Sequence, residues 1–296
     1  MLLPCLIRRL GALNMEASNS IWAESLYRLK QNKLAVISGF VLLFLIVLAV
    51  CAPLIAPHSY SYQNLELGAV APNATYWLGT DTLGRDQLSR ILYGARVSLL
   101  VGFVATAVAL IIGVSWGIVA GFFGGRIDAT MMRVVDVLYG LPFIIFIILL
   151  MVIFGRNIWL LFIAIGAVEW LTMARIVRGQ VLTLRNQEFV LASQALGIGN
   201  ISLFFRHILP NILGTIAVYA TLTIPQVMLL EAFLSFLGLG VQPPMSSWGT
   251  LIRYGVESME EFPWMLIFPG LIFTVTLFCL NFFGDGLRDA LDPKSN

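Results

Sequence analysis

The sequence predicts an all-α integral membrane protein, and its composition and hydrophobic pattern are the reasons. Of 296 residues, 59% are hydrophobic and 11% are charged, whereas a soluble domain usually has about 25% charged residues. A helix needs about 20 predominantly apolar residues to cross the hydrocarbon layer of a membrane. Six stretches reach that length, and we expect transmembrane helices near residues 34–56, 97–120, 135–154, 158–176, 209–236 and 264–284.

The N-terminal segment, residues 1–33, is basic and precedes the first apolar stretch. That stretch is longer than the core of a secretory signal peptide, which usually has about 7 to 15 apolar residues. We therefore predict that residues 34–56 form a permanent membrane anchor. Residues 34–296 then form one six-span transmembrane domain.

Lys and Arg residues are unevenly distributed between the two sides of this topology. With a cytoplasmic N-terminus, thirteen of the 18 basic residues lie in cytoplasmic segments and the other five lie outside. Because cytoplasmic loops of membrane proteins are enriched in Lys and Arg, we expect both termini and a loop over residues 177–208 to be cytoplasmic. Residues 57–96 then form an external loop.

The external loop contains Asp81, Arg85, Asp86 and Arg90, which have the spacing to pair across turns of a short helix. Such a group either braces the second span or contacts an extracytoplasmic partner. We prefer the first interpretation, because exposed pairs of this kind contribute little energy and usually mark a solvated helix face.

A second external segment, residues 238–263, is rich in Gly and Pro, which interrupt a helix. Trp248 and Trp264 suit a membrane interface, where amphipathic rings settle. A contact for a binding protein and a simple solvated loop are both compatible with this pattern.

The polar stretch from Arg185 to Asn211 has the local sequence of a short helix. Asn186 can cap its N-terminus, Glu188 lies in the first turn, and Gly197 can end it in a left-handed turn. A second helical piece over residues 200–209 should stop at Pro210, because proline inside a helix loses a hydrogen bond and clashes with the preceding turn.

One face of the predicted short helix is formed by Phe189, Ala192 and Leu196, which are three and four residues apart. Ser193 lies beside this face, and small side chains there permit close approach by another protein. We interpret the segment as a docking element that a partner grips from the cytoplasm. The alternative is an ordinary loop that lies on the lipid headgroups.

Two carboxylates, Glu231 and Glu169, fall inside predicted spans. A charge near the centre of a bilayer costs a few kcal/mol on insertion scales, so such a residue faces a polar cavity or finds a partner. For Glu231 we prefer a pathway-lining role over a structural hydrogen bond. Glu169 is nearer the end of its span, where a structural or interfacial role is favoured.

The sequence shows no pattern of an enzyme. Cys5, Cys51 and Cys279 have no metal-ligand spacing, and the topology places His58 and His207 on opposite faces. No basic stripe with interleaved aromatic residues indicates nucleic acid. No GxxxxGK[ST] phosphate loop is present, so energy from ATP would have to come from another polypeptide.

A resemblance to a known family becomes specific in the polar stretch. Ala192-Ser193, followed by Gly197 and then Leu209-Pro210, resembles the cytoplasmic "EAA" loop of ABC importer permeases. The sequence departs from that pattern at Leu191, where the family often has Glu, and at Ser193, which replaces the second Ala.

Other motifs in the same order are similar to the C-type permease subunits of oligopeptide and dipeptide ABC importers, and the likeness covers nearly the whole chain from Lys33 onward. The matching stretches are Leu78-Gly-Thr-Asp81, Gly84-Arg-Asp86, Met173-Ala-Arg-Ile-Val-Arg-Gly-Gln180, Phe236-Leu-Gly-Leu-Gly240 and Gly284-Asp-Gly-Leu-Arg-Asp-Ala-Leu-Asp-Pro-Lys294.

The resemblance implies a MetI-like transmembrane domain of a type I ABC importer, a multi-pass protein of the bacterial inner membrane. It implies a homologous second permease, with which this chain forms a pathway for oligopeptides, and an extracytoplasmic peptide-binding protein. Two ATPase subunits would bind ATP and Mg²⁺, and this chain would need no cofactor. The docking element would use Glu188, Ala192, Ser193, Gly197 and Pro210.

Three alternatives stay open at this point. Permeases for dipeptides, nickel or other small solutes have similar sequences. A secondary transporter would rely on intramembrane charges and internal repeats, and Glu231 and Glu169 are the only acids well inside the predicted spans. A non-transporting membrane scaffold is the third class.

Overall fold

A computed structural model of the protein describes residues 21–155 and 157–291. Residues 1–20, Arg156 and 292–296 lie outside the described residues, so most of the predicted segment 1–33 is not placed. The helices are α1 (Ile21–Gln31), α2 (Lys33–Val50), α3 (Ala52–Ile55), α4 (Gln87–Phe123), α5 (Gly125–Tyr139), α6 (Phe143–Phe154), α7 (Ile158–Arg185), α8 (Glu188–Ala195), α9 (Asn200–Leu203), α10 (Leu209–Phe236), α11 (Trp248–Glu257) and α12 (Trp264–Leu291).

The prediction of an all-α membrane protein is confirmed. Five helical segments are long and apolar enough to cross a membrane: α2, α4, α7, α12 and the continuous segment over residues 204–236 that contains α10. Helices α5 and α6 pass the same test only as a pair, which is bent by 77°. The described part of the chain therefore has five unbroken spans and a sixth if the bent pair counts as one.

The prediction of one continuous helix over residues 135–154 is wrong. Helix α5 ends at Tyr139 and α6 begins at Phe143, directly after Pro142. Proline lacks an amide proton and disfavours helical geometry in the residue before it, so the helix breaks at this point. With 12 residues, α6 is about 18 Å long, which is shorter than the hydrocarbon layer of about 30 Å.

Helix α4 is longer than the sequence indicated. Its 37 residues extend for about 55 Å, so it projects beyond the hydrocarbon layer. It begins at Gln87, where the Asp86 carboxylate accepts a hydrogen bond from the Ser89 amide at 2.8 Å and caps the helix. The predicted external loop over residues 57–96 therefore ends at Asp86, and its last ten residues are helical.

A buried ion-pair group anchors the segment that precedes α4. The Asp81 carboxylate accepts from the amides of Leu83 and Arg85 at 2.9 Å each and from Arg85 Nε at 2.7 Å. It also accepts a hydrogen bond from Arg90 on the first turn of α4. These charges are almost fully buried, so the group braces α4 from within, through a turn rather than a helix of its own.

Helices α4 and α7 pack against each other along a row of glycines. A methyl group added at Gly117 would lie 2.5 Å from the Ala174 carbonyl oxygen, and one at Gly113 would lie 2.7 Å from the Trp170 carbonyl oxygen. Real side chains cannot approach so closely, so the glycines allow the two backbones to touch. Gly113 and Gly117 thus serve helix packing, as small residues commonly do between membrane helices.

The row of glycines between α4 and α7 leads to a prediction about stability. Gly117→Ala should destabilise the protein, because the new methyl group clashes with the backbone of α7. Gly179→Ala on α7 is the matched control: its added methyl meets nothing within 4 Å, so it should be neutral or stabilise by up to about 1 kcal/mol through helix propensity. Thermal unfolding in detergent measures the midpoint temperature of both variants, and equal midpoints would contradict this role of Gly117.

The buried charges make a second prediction. Asp81→Ala leaves two arginines without their carboxylate, and breaking a buried pair in this way costs about 3–5 kcal/mol. The control is Glu257→Ala, which removes the exposed partner of Arg253 at 2.9 Å and should cost less than about 1 kcal/mol. Unfolding by SDS titration in mixed micelles measures the free energy of unfolding of both variants. A loss for Asp81→Ala no larger than that for Glu257→Ala would refute the anchoring role of the Asp81 group.

Candidate functional site

The predicted docking element is a helix in the structure. Helix α7 continues nine residues past its predicted end and stops at Arg185, so the predicted loop over 177–208 begins as helix. Asn186 was expected to cap the new helix, but its amide bonds to the Thr183 and Leu184 carbonyls and closes α7 instead. The short helix α8 follows directly, with Glu188 in its first turn as predicted.

Gly197 ends α8 as expected. Its φ is +78°, a left-handed conformation that costs glycine little and other residues much. The Ile198 amide then donates to the Ser193 carbonyl at 3.2 Å, which is the long hydrogen bond of a Schellman-type helix end. The Leu196 amide donates to the Ala192 carbonyl at 3.0 Å, so two carbonyls of the last turn are paired.

Helix α8 has one face toward the protein and one toward solvent. Val190 is fully buried, and Ser193 is nearly so, with its hydroxyl donating to the Phe189 carbonyl at 2.7 Å. Phe189 and Ala192 are exposed on the other side, and Leu196 is 83% exposed. An apolar face this open on a short helix is typical of a surface that a partner covers.

Pro210 does not stop the second helical piece, and that prediction is wrong. Residues Phe204–Ile208 form a π-helical turn that leads directly into α10, where Pro210 occupies the first turn. Proline is tolerated in a first helical turn because it has no amide proton to leave unpaired there. The result is one continuous helical segment from Phe204 to Phe236.

The docking segment is fixed to the ends of the long helices. Ile208 packs with Val181 of α7 and Ile212 of α10 in one apolar cluster. The Phe204 ring contacts Phe122 at the end of α4, with centroids 5.6 Å apart. The stretch that follows α8 therefore contacts the ends of α4, α7 and α10.

Two ion pairs connect α7 to α5, the first half of the bent pair. Arg178 forms a bidentate contact with the Asp128 carboxylate, at 2.5 Å from Nε and 2.6 Å from Nη2. Arg175 contacts Asp136 at 2.8 Å and lies over the Tyr139 ring at 4.2 Å. A bidentate arginine pair fixes the relative orientation of its two partners as well as pairing their charges. The pair therefore holds α5 against α7.

The sequence alone did not indicate these two pairs, because Asp128 and Asp136 lie 50 and 39 residues before their partners. One signal was present: the predicted spans place these aspartates and both arginines at the cytoplasmic side of the membrane. That shared side did not reveal which charges meet.

Glu231 lies far from the docking segment. It is 23 residues beyond Ile208 on a continuous helix, or about 35 Å. Its carboxylate is fully buried; Oε1 accepts from the Ser235 hydroxyl at 2.6 Å, and that hydroxyl is 3.3 Å from Ser247 Oγ. Within the single chain this is an enclosed hydrogen-bonded cluster, and a pathway-lining role stays a prediction. Glu169 is half-buried on α7.

No group of three or more His, Cys, Asp or Glu side chains that could hold a metal ion occurs within residues 21–155 and 157–291.

Comparison with known proteins gives the family. The profile described as "Binding-protein-dependent transport system inner membrane component" matches residues 113–296. The chain belongs to this family. A second profile, "N-terminal TM domain of oligopeptide transport permease C", matches residues 20–72 of this permease.

Curated relatives agree with the family over most of the permease. It is 47% identical to the oligopeptide transport system permease protein OppC of Haemophilus influenzae, over 97% of this chain and 92% of the relative. It is 46% identical to OppC of Bacillus subtilis, over 94% and 91% of the two chains. The dipeptide transport system permease protein DppC of B. subtilis is 48% identical, over 90% and 84%.

The fold also has solved counterparts. An inward-facing structure of the MetNI methionine ABC transporter matches 68% of the permease and 96% of the compared chain, with a TM-score of 0.57 at 18% identity. This likeness confirms the MetI-like fold that the sequence motifs implied. The family match and the membrane-spanning helices together show that the permease is a multi-pass inner membrane protein.

The bidentate pair of the permease makes a third prediction. A double-mutant cycle of Asp128→Asn and Arg178→Gln should give a coupling energy of roughly 1–3 kcal/mol, because the contact is partly buried and bidentate. The exposed pair of Asp136 and Arg175 serves as the control cycle and should give less than about 1 kcal/mol. SDS unfolding measures both cycles, and a larger value for the exposed pair would contradict this ranking.

Proposed function

We propose that this chain is the permease subunit of an ATP-binding-cassette importer and forms, with a homologous second permease, the pathway for oligopeptides across the bacterial inner membrane. The observation that carries the proposal is the identity of 46–47% to OppC proteins over more than nine tenths of both chains. Dipeptides are the second candidate cargo, because a DppC protein is 48% identical over a smaller share of its length.

Helix α8 is the proposed contact for the ATPase subunits. Its exposed face is apolar, short and bordered by Ala192, so a cleft on a partner can enclose it without steric obstruction. Glu188, Ser193 and Gly197 shape the helix, and Pro210 starts the span that follows. The sequence has no phosphate-binding loop, so ATP and Mg²⁺ would bind the two partner ATPases.

The contacts of α8 explain how ATPase movement would reach the pathway. A push on α8 acts on α7, to which it is joined by Asn186 and Gln187. Helix α7 transmits it through Arg178 and Asp128 to α5, whose far end meets the bend at Pro142. This unit would have two arrangements, and nucleotide bound to the ATPases would favour one of them. Switching between the two would open the pathway first to one side of the membrane and then to the other.

The remaining partners follow from surfaces that a single chain leaves uncovered. Helix α6 is too short to span the membrane alone, and Ile145, Leu149 and Val152 on it are exposed. A second permease would cover part of this surface. An extracytoplasmic binding protein would approach from the face opposite α8, and the distribution of Lys and Arg supports cytoplasmic termini.

The fourth prediction tests this role of α8. Ala192→Glu should lower peptide uptake by at least about tenfold, because a buried unpaired carboxylate at the proposed contact costs more than the roughly 1.4 kcal/mol that tenfold requires. Uptake of a labelled tripeptide is measured in cells expressing the complete importer. Immunoblots of membranes and co-purification of the ATPases separate loss of docking from loss of protein.

Two control variants accompany this test. Gln31→Glu places the same charge at an exposed position at the end of α1, on the predicted cytoplasmic side, and should leave uptake unchanged. Gly197→Ala strains the left-handed turn without adding charge and should weaken uptake less than Ala192→Glu does. Normal uptake by Ala192→Glu, with the ATPases still attached, would remove α8 from the mechanism.

A further inference from the structure

A cavity lies at the end of the molecule opposite α8. It is lined where α4 and α7 begin and by two connecting segments, is half open to the outside, and has a volume of about 280 Å³. Its lining includes Tyr60, Tyr93, Arg96 and Ser246. Helix α7 has 28 residues, so about 40 Å separate its start, which lines this cavity, from its end at α8. Such a volume is at the lower limit of small-molecule pockets, about 300–1,000 Å³, and it suits one end of a longer ligand.

Arg96 is the charged group of this cavity. It is exposed, and its guanidinium carbon lies 5.9 Å from the centre of the Tyr93 ring. The Tyr60 ring lies against the same Tyr93 ring, tilted by 32°, with centroids 4.4 Å apart. In the part of the chain that the structure describes, Arg96 forms no salt bridge, and none of the described lining residues is acidic. The cavity thus holds a positive charge with no counter-ion.

Ser246 supplies an independent sign of a ligand. It lines the cavity and is 98% buried, since only 2% of its surface is exposed. Its hydroxyl has no hydrogen-bond partner among the described residues. Buried polar groups are nearly always paired, so a lining serine whose hydroxyl is unpaired has a hydrogen bond still to make.

The lining matches one chemical class. An arginine binds a carboxylate through paired, charge-assisted hydrogen bonds, and a nearby hydroxyl can donate another. Apolar and aromatic walls, which include Leu100 and Met245, suit the side chain next to such a carboxylate. We propose that this cavity binds the C-terminal carboxylate and last side chain of a peptide as it enters the pathway. The inference rests on the proposed function and adds to it the end of the substrate that the permease recognises.

The experiment compares two forms of one tripeptide, one with a free C-terminal carboxylate and one with a C-terminal amide. The complete importer is reconstituted in liposomes, and saturating binding protein is loaded beforehand with either peptide, so that its own preference does not enter the comparison. Wild-type protein should transport the carboxylate form faster. In Arg96→Gln, transport of that form should fall about tenfold, the loss expected for one charge-assisted contact, while transport of the amide form stays the same.

Two further variants separate recognition from folding. Arg96→Lys keeps the charge and should restore part of the preference for the carboxylate form. Arg253→Gln removes an exposed arginine that already has Glu257 as its partner and should leave the ratio of the two peptides unchanged. A similar loss for both peptides in Arg96→Gln would assign Arg96 a structural role and overturn the proposal.

Other outcomes are equally decisive. Equal transport of both peptides by wild-type protein would overturn the proposed site while leaving the peptide importer intact. Transport of neither peptide would refute the proposed function and this inference with it. If the effect of Arg96→Gln vanishes when anionic lipids are replaced by phosphatidylcholine, the cavity binds a lipid headgroup and the peptide proposal is wrong.

Discussion

The close contact between α4 and α7 determines where both ends of the molecule lie. Gly113 and Gly117 bring the backbones of the two helices together, and helices in a membrane depend on such packing because lipid offers no hydrophobic driving force between them. At one end, the Asp81 group holds the start of α4. At the other end, α7 leads directly into α8. The contact between α4 and α7 therefore connects the buried Asp81 group at one end of the molecule to the exposed helix α8 at the other.

A second set of contacts lies near the end of α7. Arg178 and Arg175 bind carboxylates on α5 rather than facing solvent alone. These contacts join α7, which leads into α8, to a pair of helices that is bent by 77°. The bend lies at Pro142, and the ion pairs hold α5 against α7. The arrangement suits transmission of movement from the aqueous phase into the membrane.

Much of this architecture could be predicted from the sequence, because long apolar runs and basic flanks are physical requirements of membrane spans. The short helix at Glu188 and its end at Gly197 were also predictable, since local backbone chemistry decides them. The break at Pro142 was not, because proline occurs in both continuous and broken membrane helices. Pro210 misled for the same reason: its effect depends on the π-helical turn before it. The Arg178–Asp128 contact depends on how α5 packs, which no local pattern encodes.

The central claim is that α8, α7 and α5 move as one unit when nucleotide binds to the partner ATPases. Spin labels are placed at three exposed positions: Leu196 directly after α8, Val137 on α5 and Phe40 on α2. Pulsed electron paramagnetic resonance measures the distances between them in a variant without native cysteines. On trapping ATP, the distance from Leu196 to Val137 should stay constant, while the distance from Leu196 to Phe40 should change. A change between Leu196 and Val137, or no change between Leu196 and Phe40, would contradict the claim.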